Sequence, residues 1–503
     1  MQFEPLPAQG RDVEAGQAPL EVPESGAARE TALRPRSGGL RGAGEGAGRE
    51  REALPGAGKR IRAVGHGGVP GGRRGKNGIA LPRPRFRRVE EVVAELRESL
   101  SEGKAGAEGF DEKLKTAVLG DAAEYAGEVV SAVERQRAGK GVHSWREGDL
   151  FTCMGWTRVQ YPYYRDKEKR GARGAAFGVE RKMTRAASET VWRLGALLGS
   201  FQEARDTLSW LGLGDVSVSK VRSETLARGR EALAAQESPA WDKREYTAKQ
   251  RAVPEGGRRV PRTLAVQLDG TCVPAAKADT KGRKGKNGGE AGSRQLRVAS
   301  MCEYEAVDAK GRPVSIPGSF SYAVMLCDAA ELKGCVKKLA EARGARNVAR
   351  VQCGADGEEA LEAILTEDFP KAVFHNDFMH ASSYLSTACH APGIPDPDKE
   401  YQVCRGILKR HGAASAIKRL QRLHGKELEA SEEASSALAY LEKRKAHMNY
   451  GWLRRNGYYI GTAHVEAAAR ILVARRCKQA GMHWRVKNAA CVCALLARLR
   501  SAA

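Results

Sequence analysis

Two hydrophobic periods alternate along the chain from Phe86 onward. VEEVVAELRESL (89–100) and EKLKTAVLGDAAEYAGEVVSAVERQ (112–136) carry Val, Leu and Ala every three or four residues with charges between them, which predicts two amphipathic helices. LFTCMGWTRVQYPYYRDKE (150–168) is rich in aromatic and β-branched residues and predicts one or two short strands. Helical spacing returns over 186–235, broken by Leu-Gly pairs and by Gly214 and Asp215. A helix ending at Leu-Gly, a short turn and a new helix capped by Ser217 or Ser219 is the layout of a helix-turn-helix near 200–232. Its second helix would present Ser219, Lys220, Arg222 and Ser223. Residues 241–261 are polar, basic and Gly/Pro-containing, as in an interdomain linker.

Beyond the linker the period shortens to two. RTLAVQLDG (262–270), RQLRVASMCEYEAVD (294–308) and SFSYAVMLC (319–327) predict three strands. A helix at 329–344, a strand at 349–354, a helix at 358–369, a strand at 371–376 and a further helix from DFMHASS follow. Three meandering strands followed by alternating helix and strand is the element order of an RNase H-like α/β domain with a mixed sheet. A wholly helical stretch at about 397–450 interrupts it before its last helix.

Composition adds a tail and a partner class. The first 85 residues hold 18 Gly and 9 Pro without a period, which predicts disorder, and the segment ends in the basic block GGRRGKNGIALPRPRFRR (71–88). The net charge of +23 and pI near 9.6 favour a polyphosphate partner, with nucleic acid the commonest. The 11 cysteines are odd in number and contain no CxxC pair, so reduced thiols are expected rather than a disulfide framework or zinc ribbon. No apolar run reaches membrane-spanning length and the first residues lack a signal-peptide layout, which predicts a cytoplasmic protein without membrane contact.

Against this basic background, three carboxylates follow apolar strands. Asp269 ends TLAVQL, Asp356 ends ARVQCGA, and Asp377 ends KAVFHN with His380 one turn later. Gly357, next to Asp356, is expected to admit a substrate backbone. Hard divalent cations take such oxygen ligands at a scissile phosphate. A zinc site at His375, His380, Cys389 and His390 matches no common ligand spacing. Glu466 lies on the Ala-rich segment VEAAARILVARRCKQ, where small neighbours leave room for phosphate.

QLDGT (267–271), ADG (355–357), DFMH (377–380) and IGTAHVEAAARILVARRCKQAGMHW (460–484) together resemble insertion-sequence transposases of the ISKra type, in the Mutator-related DDE class. The likeness covers about 260–500. Gly461, Glu466, Arg476, Lys478, Gly481, Met482 and Trp484 match the family register G-S-G-x-x-E followed by R-x-K-x-x-G-M-x-W. The departures are Glu358 after Asp356-Gly357 with no Trp following, Thr462-Ala463 in place of Ser-Gly, and a basic insertion at 277–294.

The resemblance implies an RNase H-like catalytic domain over 262–503 with an all-helical insertion at about 397–450. A mainly helical DNA-binding region (86–240) and the tail (1–85) would precede it. It implies a catalytic triad of Asp269, Asp356 and Glu466 holding two Mg²⁺ or Mn²⁺ ions, with Asp269 bridging. His380 would orient the phosphate or a water, and Asp377 would position that histidine or cap its helix. The activity implied is cleavage at DNA ends and transfer of the 3′-OH into target DNA, by a prokaryotic, nucleoid-associated homo-oligomer that recognises terminal inverted repeats. Lys220, Arg222, Arg475, Arg476 and Lys478 are expected to meet phosphates, Trp484 to stack on a base or, as an aromatic after a Gly-Met turn more often does, to plug the core, and the 277–294 loop to contact DNA flexibly. A degraded or domesticated DNA-binding derivative, or a nuclease or resolvase that hydrolyses without strand transfer, are the rival readings.

Overall fold

The computed structural model describes residues 81–102, 109–166, 177–179, 181–237, 253–285, 288–327 and 329–501. The expected tail lies outside them up to residue 80, as does the linker over 241–252.

The N-terminal elements are α1 (Arg87–Ser101), α2 (Phe110–Arg137), the antiparallel hairpin β1 (Ser144–Thr152) and β2 (Gly155–Tyr163), then α3 (Arg185–Leu197), α4 (Phe201–Trp210) and α5 (Val218–Glu237). Buried Asp121 joins the first two helices by accepting from the backbone N–H groups of Arg88 and Val89 and from the Arg88 guanidinium. The hairpin starts earlier than expected, because the polar run SWREGD pairs residue for residue with 158–163.

The second half is built on a six-stranded mixed sheet. The elements run β3 (Arg258–Pro274), α6 (Lys277–Thr280), β4 (Ser293–Val307), β5 (Pro313–Ser315), β6 (Ser321–Met325), α7 (Ala329–Leu332), α8 (Cys335–Ala342), β7 (Arg350–Ala355), α9 (Glu359–Asp368) and β8 (Val373–Asn376). The strand order is β5-β4-β3-β7-β8, with β6 also on β4; β3, β4, β5 and β6 pair antiparallel, whereas β7 and β8 run parallel to β3. The helix expected at 329–344 is split at Gly334, whose φ of +74° breaks the helix while its N–H donates to Asp368.

All-helical chain follows: α10 (Phe378–Cys389), α11 (Pro397–His411), α12 (Ala413–Ala430), α13 (Glu432–Arg444), a 3₁₀ turn (Lys445–His447) and α14 (Tyr450–Arg455). These helices share their own core around Leu385, Leu408, Leu420, Leu441 and Tyr450. The chain then returns to the sheet as α15 (Ala463–Ala469), a π-helical stretch (Arg470–Ala474), α16 (Arg475–Cys477) and α17 (Val486–Arg500). No helix among the described residues is long and apolar enough to cross a membrane.

Each face of the sheet has its own layer. Leu264, Val266 and Leu268 of β3, Cys353 and Ala355 of β7 and Phe374 of β8 pack against α8 and α9 through Val336, Ala340, Leu361 and Leu365. The other layer contains α15 and α17, and here the expected division between a helical region and a catalytic domain meets a different arrangement. Ala196, Leu226 and Ala232 of α3 and α5 lie in one hydrophobic cluster with Val273, Leu296, Leu472, Val492 and Leu496. Gly229 of α5 lets the helices close, since a Cβ there would stand 2.6 Å from the Cys491 carbonyl oxygen. Gln236 ties both sides, donating to Ala494 O and accepting from Val324 N. Residues 79–503 accordingly form one compact unit. α17 is buried on every side from Ala489 to Ala497, as expected of a helix enclosed between two partners.

Candidate active site

Strand alternation sorts the chemistry. Because successive side chains point to opposite faces, the apolar positions of β3, β7 and β8 enter the α8–α9 layer, and the polar positions between them face the other way. Register places Gln267, Gly354 and His375 on one rung and Leu268, Ala355 and Asn376 on the next. Asp269, Asp356 and Asp377 each stand one residue beyond that second rung. Asp356 and Asp377 follow the last residues of β7 and β8 as expected, whereas Asp269, expected to close its strand, lies inside β3, which stays paired with β4 as far as Pro274.

The Gln267–Gly354–His375 rung, with Gln352 two residues deeper, anchors the return of the chain. Gln352 donates to Tyr459 O (2.8 Å) and accepts from Tyr459 N (3.0 Å), while Tyr304 donates to its Oε1 (2.9 Å). Gln267 donates to Gly461 O (3.0 Å) and accepts from Val465 N (3.3 Å). The His375 ring occupies the space a Cβ on Gly354 would need, 2.4 Å from Cε1. Burial keeps this imidazole neutral by holding its pKa below the ordinary value, against backbone hydrogen bonds from the ring to Gly461 and Cys353. These bonds fix residues 459–465 on the sheet, so α15 begins above the three aspartates and delivers Glu466 to them.

The electrostatics record that convergence. Burial first, and then the charge of Asp356, push the Asp269 carboxyl up to about 6, with Glu466 adding to the rise. The His380 imidazole is held above its ordinary pKa by its hydrogen bond to Asp377, against burial, and by the charges of Asp377, Asp356 and Glu466. Asp377, His380 and Glu466 each offer one ligand atom within 4.8 Å of the others. The Asp377 carboxylate, however, is already occupied. Its Oδ1 accepts from His380 N (2.7 Å) and Nδ1 (3.2 Å), and its Oδ2 accepts from Thr462 N (2.8 Å) and Oγ1 (3.1 Å). Burial would raise its pKa, but these donors outweigh that and hold it at about 2. Asp377 therefore both caps α10 and holds the His380 ring through Nδ1.

Gly357 has a different neighbour from the substrate backbone expected. The Tyr440 phenol of α13 stands over it and donates to Asp356 O (2.9 Å), and Arg444 donates to Gly357 O (2.9 Å). Glu358, the departure from the family pattern, pairs with Arg297 Nη1 at 2.6 Å, and its N–H donates to Asp356 Oδ1 (3.0 Å). The helices of 397–444 thus reach the acidic edge and hold the Asp356 turn.

The residues expected to bind DNA separate by packing. Arg475, Lys478 and Arg222 are exposed. Lys478 Nζ donates to Thr271 Oγ1 at 2.7 Å, two residues beyond Asp269, and so lies beside the acids. Lys220 is spent internally, donating to Arg181 O (2.7 Å) and pairing with buried Glu224 (3.2 Å). Arg476 is a correction, and Trp484 takes the core alternative. Arg476 is buried, with its guanidinium 4.6 Å over the Phe201 ring, 5.1 Å over Trp484, and donating to Gly195 O. Trp484 packs in the same core, 6.2 Å from Phe201, and its backbone exchanges hydrogen bonds with Pro274 and Ala276. Buried Arg476 and half-buried Trp484 join α4, β3 and α17, since a planar cation against aromatic rings seals an apolar layer. The 277–294 loop, expected to be flexible, is tied at its base by Asp279, which accepts from Val486 N (2.8 Å) and so starts α17.

Thr462, Gln267 and Tyr440 contact the acids or the segments that carry them, and the sequence pattern did not single them out. A polar Gln inside the apolar run TLAVQLD is the signal that was available for Gln267; Tyr440 carried none. Comparison of the chain with protein-family models and with curated proteins returned no match.

Proposed function

We propose that the chain is a metal-dependent DNA transposase of the DDE class, with an RNase H-like catalytic domain interrupted after α10 by a helical insertion. The observation that carries the reading is the approach of Asp269, Asp356 and Glu466, from three distant segments, near enough that the charges of Asp356 and Glu466 add to burial in lifting the Asp269 carboxyl to about 6. The strand order, antiparallel from β5 and β6 to β3 and parallel from β3 to β8, supports it, because RNase H-like sheets share that order. So do the motif resemblance and the basic surface at Arg475 and Lys478.

The donor set fits Mg²⁺ or Mn²⁺: three neighbouring carboxylates are hard oxygen ligands, and their repulsion is what a cation relieves. Asp269, Asp356 and Glu466 would hold a pair of such ions, which when bound supply Lewis-acid activation at the scissile phosphate. Protonated His380, oriented by Asp377, donates from Nε2 to a phosphate oxygen. Lys478 places a positive charge on the DNA strand entering past β3, and Arg475 and Arg222 add backbone contacts that position the duplex without reading sequence. The partners proposed are terminal inverted repeats, target DNA and further copies of the chain, in the cytoplasm of a prokaryote.

The test is a strand-transfer assay with purified protein, Mg²⁺ or Mn²⁺, and duplexes ending in the element's inverted repeats. Joined products that disappear in Asp269→Asn, Asp356→Asn and Glu466→Gln are expected. Hydrolysis without joining would instead identify a nuclease or resolvase, and DNA binding without cleavage an inactive derivative.

A further inference from the structure

Thr462 precedes α15 as its N-cap, yet its hydroxyl bonds none of the helix's free N–H groups. That capping role is taken over elsewhere: Val465 N is met by Thr462 O and by Gln267 Oε1. The hydroxyl, on a residue 1% exposed, lies instead 3.1 Å from Asp377 Oδ2 and 3.0 Å from Glu466 Oε1. A hydroxyl carries one proton and can serve one of two carboxylates at a time. Asp377 has three other donors, the His380 and Thr462 backbone N–H groups and His380 Nδ1. No other side-chain hydrogen bond to Glu466 is found among the described residues, so the hydroxyl proton goes where it is the sole donor.

We propose that Thr462 is a positioning residue for Glu466, holding Oε1 from the sheet side so that the carboxylate is presented to a divalent cation in one orientation. The inference rests on the metal-dependent reading above. Asp377 is in this arrangement an anchor rather than a ligand: it fixes the Thr462 backbone and His380 at once, locking the starts of α15 and α10 together. Glu466 is otherwise exposed on a short helix and free to turn, and a lost orienting partner of this kind typically costs about 10–100-fold in metal affinity.

The experiment is a Mn²⁺ titration of the full chain, following free Mn²⁺ by electron paramagnetic resonance, with circular dichroism confirming that each variant is folded. Thr462→Val is expected to weaken Mn²⁺ binding by about 10-fold or more, and Thr462→Ser to restore it. Thr462→Ala removes the hydroxyl without a branched side chain and reads the same loss should the Val variant not fold. In a Glu466→Gln background, Thr462→Val is expected to add no further loss, because the hydroxyl acts through that carboxylate. Wild-type affinity in Thr462→Val, or an equal loss in the Glu466→Gln background, overturns the inference and leaves the transposase reading standing. A wild-type chain that binds no Mn²⁺ overturns both.

Discussion

The Tyr440 hydroxyl occupies the place of a side chain on Gly357: a Cβ there would lie 2.0 Å from Oη, and the same hydroxyl donates to the carbonyl of Asp356. Tyr440 is held in turn by stacking on Tyr384, with ring centroids 3.7 Å apart, and by the Arg444 guanidinium 4.2 Å over its face. A helix far along the chain thereby sets the turn that carries one of the acids.

Gly357→Ala is therefore expected to destabilise the protein by about 2–4 kcal/mol, from overlap with Tyr440 and from a φ of +108° that an L-residue resists. Tyr440→Phe removes one hydrogen bond and is expected to cost about 1 kcal/mol. Chemical denaturation measures both. Near-equal costs for the two variants would show that the turn relaxes easily and that α13 does not fix it.

The acid cluster predicts a pH-dependent stability in the metal-free protein. Asp269 titrates near 6 when folded, against an ordinary value of 3.8, so between about pH 4 and 6 the folded chain keeps a proton that the unfolded chain has lost. Stability then falls as pH rises through that window. Asp269→Asn does not titrate, so its advantage over wild type should grow from pH 4 to 6 and level off above, reaching about 1–2 kcal/mol after solvent screening. Thermal melts in chelator at pH 4.5 and 8 check this; an advantage equal at both would refute it.

Arg476 and Lys478 are two residues apart, and opposite outcomes are expected for them. Arg476→Ala removes a buried stacked cation and should lower stability by about 2–4 kcal/mol. Lys478→Ala should leave stability within about 0.5 kcal/mol while weakening DNA binding and lowering the salt slope by about one counterion. Denaturation curves and binding isotherms at several salt concentrations separate the two.

A fragment covering 253–503 should fail to fold alone. It keeps the sheet and all of the acids, but it uncovers the face of α17 that α5 buries, including the Cys491 carbonyl beneath Gly229 and the Ala494 carbonyl bonded by Gln236. Loss of several fully buried aliphatic contacts, at about 1.5–3 kcal/mol each, exceeds the usual stability of a domain of this size. A cooperative melt of the purified fragment would contradict the shared core.

Much of the sheet was legible from local pattern. In TLAVQLD, ARVQCGAD and KAVFHND the apolar positions and the aspartate are written at strand spacing. Asp356 and Asp377 do follow their strands, but β3 continues past Asp269 to Pro274 because its pairing with β4 carries on. The position of Glu466 came from motif resemblance, and the structure sets it near enough to Asp269 for its charge to be felt there. What the pattern of Arg476, Lys478 and Trp484 could not tell was direction. A basic residue on a helix is outward by default, and whether it turns in depends on aromatic partners, here Phe201 of α4, that lie hundreds of residues away in the chain.

The sequence by itself determined most of the elements, their order and the aspartates that follow β7 and β8, because these follow from side-chain period and local backbone preference. Tertiary structure alone decided which polar groups serve each other. Thr462 turns from its own helix to Asp377 and Glu466, and Tyr440 reaches across to Asp356. α5, expected to read DNA, is largely spent on the core. Such pairings join residues distant in sequence, and they are settled when buried donors and acceptors must find partners in a dry, close-packed interior.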